Sequence, residues 1–321
     1  MGADDGVPLQ GEFGEFLYAL VMKEIKGSDI VAKMNALTYS RGKQVSEVFT
    51  DMLDAFIDFM SLERLQRHEF DIVELLTEIK DEPFFDIYQL WLEWVNQEQR
   101  KNGVVDAFDF YEDEVKSKGK ADVLGQFFTP MSLCKLMGDI VAPSDAPEND
   151  VEVILDCACG SSRTLLGHYQ KAWTQDNICY YVAGDIDSQS VKMSAINMAI
   201  NGMFGRCVCG DALALEYRFG YEINEVKYPI PTPYCSIRPL ADIEGADSTQ
   251  KYIYWTAVHD DTRAILEFAC QTKRQILEKS KKNANEPQET PVATQSSKSD
   301  INIPKEENEP KYGKYEQLTI F

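Results

Sequence analysis

The apolar positions of the first hundred residues recur every three to four places. Phe13, Phe16, Leu17, Leu20 and Val21 share one face of a 3.6-residue repeat. Val45, Val48, Phe49, Met52, Leu53, Phe56 and Met60 share a longer one. Leu75, Leu76 and Ile79 mark a third helix, and Phe84, Tyr88, Trp91 and Val95 a fourth, with Asp, Glu, Lys and Gln opposite. This pattern predicts a helical bundle whose aromatics are core. Asn102-Gly103 and the polar stretch from Glu112 to Lys120 read as a connection.

After it the period changes. Thr129-Pro130 predicts a capped helix start, with Pro130 in the first turn and an apolar face of Leu133, Leu136, Met137, Ile140 and Val141 ended by Pro143. Val151 to Leu155 is a short apolar run ending at Asp156, followed by small residues and a helix carrying Leu165, Leu166, Tyr169 and Trp173. Tyr180 to Ala183 predicts a second strand, ending on Asp185. Val191 to Asn201-Gly202 predicts a helix, and Arg206 to Cys209 a third strand, ending on Asp211. Lys251 to Trp255 reads as one further strand and Ala257 to Lys282 as one helix, with Ile265, Phe268, Ala269 and Ile276 facing in. From Lys281 to Lys314 the chain is Glu, Lys, Asn, Gln, Ser and Pro, too polar to repay its ordering entropy. The expected organisation is a helical domain over 1–118, an α/β domain over 119–282 with a shortened sheet, and a disordered tail over 283–321.

Charge changes the picture of partners. A net charge of −21 suits an isolated grip on nucleic acid poorly, because counterion release needs clustered Lys and Arg. Any nucleic-acid role then needs a local basic patch, a basic partner or recruitment by another protein. No apolar run spans a membrane, and no signal or lipidation motif is visible. Eight scattered Cys suit a reducing cytoplasm. The two Cys-x-Cys pairs, Cys157/Cys159 and Cys207/Cys209, read as packing thiols rather than a metal site.

The candidate chemistry lies where the strands end. Strand, small-residue turn and helix form the geometry that lets a cofactor approach the backbone, here at Ala158, Cys159, Gly160 and Ser161. An acid ending the second strand, Asp185, is placed to accept from ribose hydroxyls. Three successive strands ending in an acid and small residues make a cofactor pocket a stronger reading than any one turn would.

The series Gln126-Phe127-Phe128-Thr129-Pro130, Asp156-Cys157-Ala158-Cys159-Gly160-Ser161, Gly184-Asp185-Ile186-Asp187 and Gly210-Asp211-Ala212 resembles the adenine-specific DNA methyltransferases of the type I modification-subunit group. The resemblance runs from Gly125 to Leu213. It implies a Rossmann-like sheet with S-adenosyl-L-methionine (SAM) as cofactor. Gln126, Phe128, Thr129 and Pro130 then belong to the loop at the methionine carboxylate, with Asp156 near the amino group. Asp185 takes the ribose, Ile186 packs on adenine, and Asp211 beside Ala212 accepts from the adenine amino group. DNA is the implied substrate, reached through a partner that chooses the site.

Two substitutions depart from the group's pattern: Cys157 stands for Pro, and Ser162 for a second Gly, tolerable unless that position needs a positive φ. The group's Asn/Asp-Pro-Pro-Tyr/Phe catalytic loop is absent. Its nearest match is Pro231-Thr232-Pro233-Tyr234, where Tyr234 would stack on a flipped base while Thr232, followed by Pro233, is a poor substitute for the amide, since a hydroxyl lacks its donor and acceptor arrangement. The equal alternative is a Pro-rich structural loop. The chain ends in Gln317-Leu318-Thr319-Ile320-Phe321, which resembles the peptide that docks bacterial proteins on the polymerase sliding clamp through Gln317, Leu318, Ile320 and Phe321. Three readings remain open: an adenine methyltransferase acting on DNA, a SAM-binding but inactive partner or regulatory subunit, and a pure interaction module.

Overall fold

The computed structural model describes residues 24–69, 71–114, 129–141, 152–174, 179–225 and 236–258. The expected helix at Phe13 to Val21, the loop residues Gln126 and Phe128, Thr232 to Tyr234, nearly all of the helix expected from Ala257, and the C-terminal peptide lie outside them. The described residues belong to one compact unit, 1–268.

Six helices come first: α1 (Gly27–Arg41), α2 (Val45–Phe59), α3 (Leu62–Arg67), α4 (Ile72–Ile79), α5 (Phe85–Asn102) and α6 (Asp109–Glu114). Their buried faces follow the apolar repeat. On α2, Val48, Phe49, Met52, Leu53 and Phe56 are all fully buried. On α5, Trp91 is fully enclosed and its indole N–H donates to Ala107 O at 2.8 Å, so a large apolar body is buried without stranding its polar atom. Phe56 and Trp91 pack at 4.9 Å between centroids. Each such ring contributes about 1.5–3 kcal/mol of burial, which decides the bundle's packing over weak helix propensities.

Next come α7 (Met131–Val141), β1 (Glu152–Asp156), α8 (Arg163–Thr174), β2 (Cys179–Asp185), α9 (Ser188–Ile200), β3 (Phe204–Asp211), β4 (Glu216–Ile223), β5 (Ile237–Pro239) and α10 (Ser248–Thr256). The five strands form one sheet in the order β1-β2-β3-β4-β5. The first three are parallel, and β3–β4 and β4–β5 are antiparallel. β2 and β3 are apolar runs buried on both faces, whereas β1 exposes Val153 and Leu155 on one face. Ile154, Tyr181, Ala183, Cys207 and Cys209 face α8, α9 and the N-terminal helices in one core. On the other face Val208 packs with Leu240, Tyr252 and Trp255. Asn201 and Gly202 close α9: Gly202 has φ 72°, and Met203 N–H returns to Met198 O at 2.9 Å.

Three expectations are corrected. Lys251 to Trp255 is helix, not strand. Asp247 accepts from Gln250 N–H at 2.8 Å while the Gln250 side chain takes Asp247 N–H at 3.2 Å, a reciprocal cap that overrides the β preference of Tyr252, Tyr254 and Trp255. Pro130 precedes the first turn: its carbonyl accepts from Cys134 N–H at 3.1 Å, so α7 starts one residue later. The apolar stripe of α7 faces outward, with Leu136 54% and Ile140 74% exposed. The buried positions are Cys134 and Gly138. There α7 and α8 cross glycine on glycine: a Cβ on Gly138 would lie 2.4 Å from Gly167 O, and one on Gly167 2.2 Å from Cys134 O. Close backbone approach, not apolar side chains, chooses the face.

Candidate cofactor site

The carboxyl ends of β1, β2 and β3 present Asp156, Asp185 and Asp211 side by side. Each acid first builds its own turn. Asp156 accepts from Ala158 N–H at 3.1 Å and from the Thr164 hydroxyl. Asp185 accepts from Asp187 N–H at 2.8 Å with one oxygen and from Gly160 N–H at 2.9 Å with the other. Asp211 accepts from Leu213 and Ala214 N–H at 2.9 and 3.0 Å. A carboxylate offers about four lone-pair sites, so each retains acceptor capacity toward a ligand. Asp187, beside Asp185, is a helix cap: it accepts from Ser190 N–H at 2.8 Å at the start of α9.

The turn after β1 is tight. Cys159 N–H donates to Gly184 O at 2.9 Å and Ser162 N–H to Cys159 O at 2.8 Å. Gly160 has φ 55° and Ser162 φ 68°, both left-handed. Ser162 therefore occupies the position where a Cβ is penalised. Its hydroxyl is held by the Ser194 hydroxyl, and Ser162 is fully enclosed.

Thr129 comes from the start of α7 and closes a cleft with Asp156, Ala158, Gly160, Ser161 and Thr164. The N-terminus of α8 points at it, which favours an anionic group there. Ile186 is 60% exposed next to Asp185, and Leu213 is exposed next to Asp211 and Ala212. Apolar side chains exposed beside acceptor groups suit an aromatic ring with polar edges. Gln126, Phe128, Thr232, Pro233 and Tyr234 lie outside the described residues, as do Gln317, Leu318, Ile320 and Phe321.

A buried cluster behind the turn joins it to the N-terminal helices. Asp106 is 5% exposed and accepts from Arg163 Nε at 2.5 Å, Asn197 Nδ2 at 2.8 Å and Phe108 N–H at 3.0 Å. Asn197 also donates to Ser161 O at 2.8 Å and accepts from Ala107 N–H at 2.7 Å. Arg163 reaches Asp109 at 2.9 Å. Residues 105–109 thus clamp the turn and α9 together. None of this cluster is visible in sequence, because its partners are far apart in the chain. Asn224, the amide nearest the expected catalytic loop, is structural: it donates to Met203 O at 2.9 Å and accepts from Ser236 N–H at 2.9 Å.

The thiols pack. Cys159 and Cys207 both approach Ser194 Oγ at 3.7 Å, and burial pushes both thiols above their usual range, Cys207 to about 12. No cluster of three or more metal-binding side chains occurs among the described residues. Among the same residues, no helix is long and apolar enough to cross a membrane.

Residues 105–215 match the family model of the N-6 DNA methylases. The match takes in the clamp, α7, the three acid turns and everything between them. Over 105 residues the chain is 34% identical to the methylase subunit of the type I restriction enzyme MjaVIII from Methanocaldococcus jannaschii, covering 32% of this chain. That alignment spans 17% of the relative's length. No solved structure gives a significant match. The cofactor-side segment therefore resembles the N-6 adenine methyltransferases of the type I modification-subunit kind.

Proposed function

We propose that this chain is the SAM-binding part of an enzyme that methylates the exocyclic amino group of adenine in DNA, on a Rossmann-like sheet. The observation that carries this reading is the row of three acids, Asp156, Asp185 and Asp211, ranged around a close-approach turn. SAM, when bound, supplies an electrophilic methyl group on a sulfonium. Thr129 borders the amino-acid end, to which the resemblance also assigns Pro130, Gln126 and Phe128, and Asp156 neutralises its ammonium. Ala158, Cys159, Gly160 and Ser161 admit the sugar to the backbone. Asp185 orients the ribose hydroxyls, Ile186 packs against adenine, and Asp211 beside Ala212 fixes its amino edge. The fit rests on the short side chains of the turn and on acceptor capacity left after each acid has built its loop.

The reaction moves a methyl group to DNA, and a chain of charge −21 needs help to approach that polyanion. A site-choosing partner supplies it, as does the sliding clamp if Gln317, Leu318, Ile320 and Phe321 dock there. Loss of clamp pull-down on deleting 317–321 tests the latter. The second reading, a SAM-binding subunit without transferase activity, is favoured by the lack of an Asn/Asp-Pro-Pro-Tyr/Phe tetrapeptide.

Calorimetric titration of SAM tests the pocket. The wild type is expected to bind, and Asp185→Ala to weaken binding by about tenfold or more, the worth of one lost charge-assisted hydrogen bond. A folded wild type that takes up no SAM refutes the proposal.

A further inference from the structure

The strand β4 breaks its own period once, beside the cofactor site. In sequence Tyr217, Phe219 and Tyr221 alternate with other residues and belong on one face. In the sheet Phe219 and Tyr221 pack into the core that α8 and α9 share, whereas Tyr217 lies on the other face, its ring centroid 6.0 Å from that of Trp255. The ladder explains the switch. Cys209 pairs with Phe219, and the next residue, Gly210, pairs with Tyr217. Arg218 is therefore an extra residue on β4, the unpaired member of a β-bulge. Gly210 makes room for the bulge, since a Cβ there would lie 1.9 Å from Glu216 O.

A bulge re-aims a side chain. This one aims Arg218 past β3 to the turn that follows β2, where its guanidinium donates to the carbonyl of Ile186. The Cys209 thiol approaches the same oxygen at 3.8 Å. Burial holds the Cys209 pKa above the usual thiol range. Arg218 pulls against that while Asp187 and Asp185 add to it, which gathers the cation and both acids of the turn around one thiol. Those acids satisfy amides of the turn: Asp185 accepts from Asp187 N–H and Asp187 from Ser190 N–H, at 2.8 Å each. A carboxylate cannot donate to a carbonyl, so the Ile186 oxygen draws its donor from another strand. A charged donor makes the stronger bond.

We propose that Arg218 is a positioning residue for the adenosine half of the cofactor. By holding the Ile186 carbonyl it fixes the Asp185–Asp187 turn, so that the Asp185 carboxylate meets the ribose and the Ile186 side chain meets adenine. This role rests on the SAM-binding reading above. Asp156, at the β1 end of the row of acids, serves the amino-acid half, and Arg218 acts from the β4 end. Without the bond the turn leaves that geometry for part of the time, and apparent affinity falls by the fraction lost. A hydrogen bond from a charged donor is strong enough to make that fraction about nine-tenths, a loss of about tenfold.

The test compares two ligands by calorimetry on the full chain: SAM, and methylthioadenosine, which keeps the adenosine half and lacks the amino-acid end. Arg218→Ala should weaken both by the same factor, about tenfold. Arg218→Lys keeps a cationic donor and should recover most of that loss. Asp156→Asn should weaken SAM alone. Deletion of Arg218 tests the bulge. It leaves Cys209 opposite Phe219 and Gly210 opposite Tyr217 in an unbroken ladder. The shortened chain should therefore melt near the wild type and bind both ligands as poorly as Arg218→Ala. Deletion of Gly220, an ordinary ladder residue without a side chain, shifts the register and should unfold the sheet. Undiminished binding by Arg218→Ala, a loss confined to SAM, or no recovery in Arg218→Lys each overturn the role. Unfolding on deletion of Arg218 overturns the bulge that delivers it. A folded wild type that binds neither ligand overturns the cofactor reading itself, and this role with it.

Discussion

Gly167→Ala puts one methyl group into the crossing that holds α7 over the cleft. The new Cβ would sit 2.2 Å from Cys134 O, where ordinary contact begins near 3.4 Å, so the helices must separate by the difference, about 1.2 Å. The obstacle is backbone on both sides and cannot rotate away. Overpacking of this kind costs about 1–3 kcal/mol, and the severity of the overlap places it at the upper end. Replacing a mid-helix Gly by Ala returns about 1 kcal/mol of propensity. The net is a loss of about 2 kcal/mol, or roughly 4–8 °C in melting temperature for a unit of this size. Thr129 precedes α7 and borders the cleft, so it moves with the helix. Displacement of a positioning group by about 1 Å can cost up to 100-fold, so SAM affinity should fall with stability. Gly138→Ala probes the same crossing from the other helix and should behave alike. Thermal melts and calorimetric SAM titrations of both variants decide the matter. Variants as stable as wild type with undiminished SAM affinity would refute a glycine crossing as the device that docks α7.

At Ser162 both Gly and Ala remove the hydroxyl that meets Ser194, but only Gly suits φ 68°. Denaturant unfolding should find Ser162→Gly more stable than Ser162→Ala by about 1 kcal/mol, and the reverse order would show that the turn is not left-handed there. Asp106→Asn removes the buried carboxylate that faces the buried Arg163 guanidinium, and should cost about 3 kcal/mol in chemical unfolding; a loss under 1 would sink the clamp. His168 is buried against Tyr181, and burial lowers its pKa below the usual imidazole value despite nearby Glu152. The unfolded chain then binds the proton more readily. This contribution is complete above about pH 6.5 and is lost as pH falls below it toward the lowered folded value. Melts of wild type and His168→Gln between pH 8 and 5 should converge at the acid end; a constant gap would exclude His168 as the titrating group.

What was legible in the chain follows from how local each cause is. The strands β2 and β3 announce themselves as apolar runs ending in Asp185 and Asp211, because a strand buried on both faces has no polar alternation to confuse the reading, and β1 ends likewise on Asp156 although Val153 and Leu155 are exposed. The strand β4 was also legible and passed over: Tyr217, Phe219, Tyr221 and Ile223 alternate with polar residues, a period of two. So was α10, whose Asp247 and Gln250 form a capping pair ahead of an aromatic run that otherwise argues for strand. The clamp of Asp106, Arg163 and Asn197 was not legible, since its members meet only when segments more than fifty residues apart are folded together.

The case of α7 shows why a correct pattern can give a wrong burial. Leu133, Leu136, Met137, Ile140 and Val141 do form one helical stripe, as the repeat requires, yet Cys134 and Gly138 are what the fold buries. The backbone crossing at Gly138 and Gly167 reports the face covered within this chain. Where apolar stripe and backbone crossing disagree, the crossing decides, because two backbones in contact leave no room for a side chain between them.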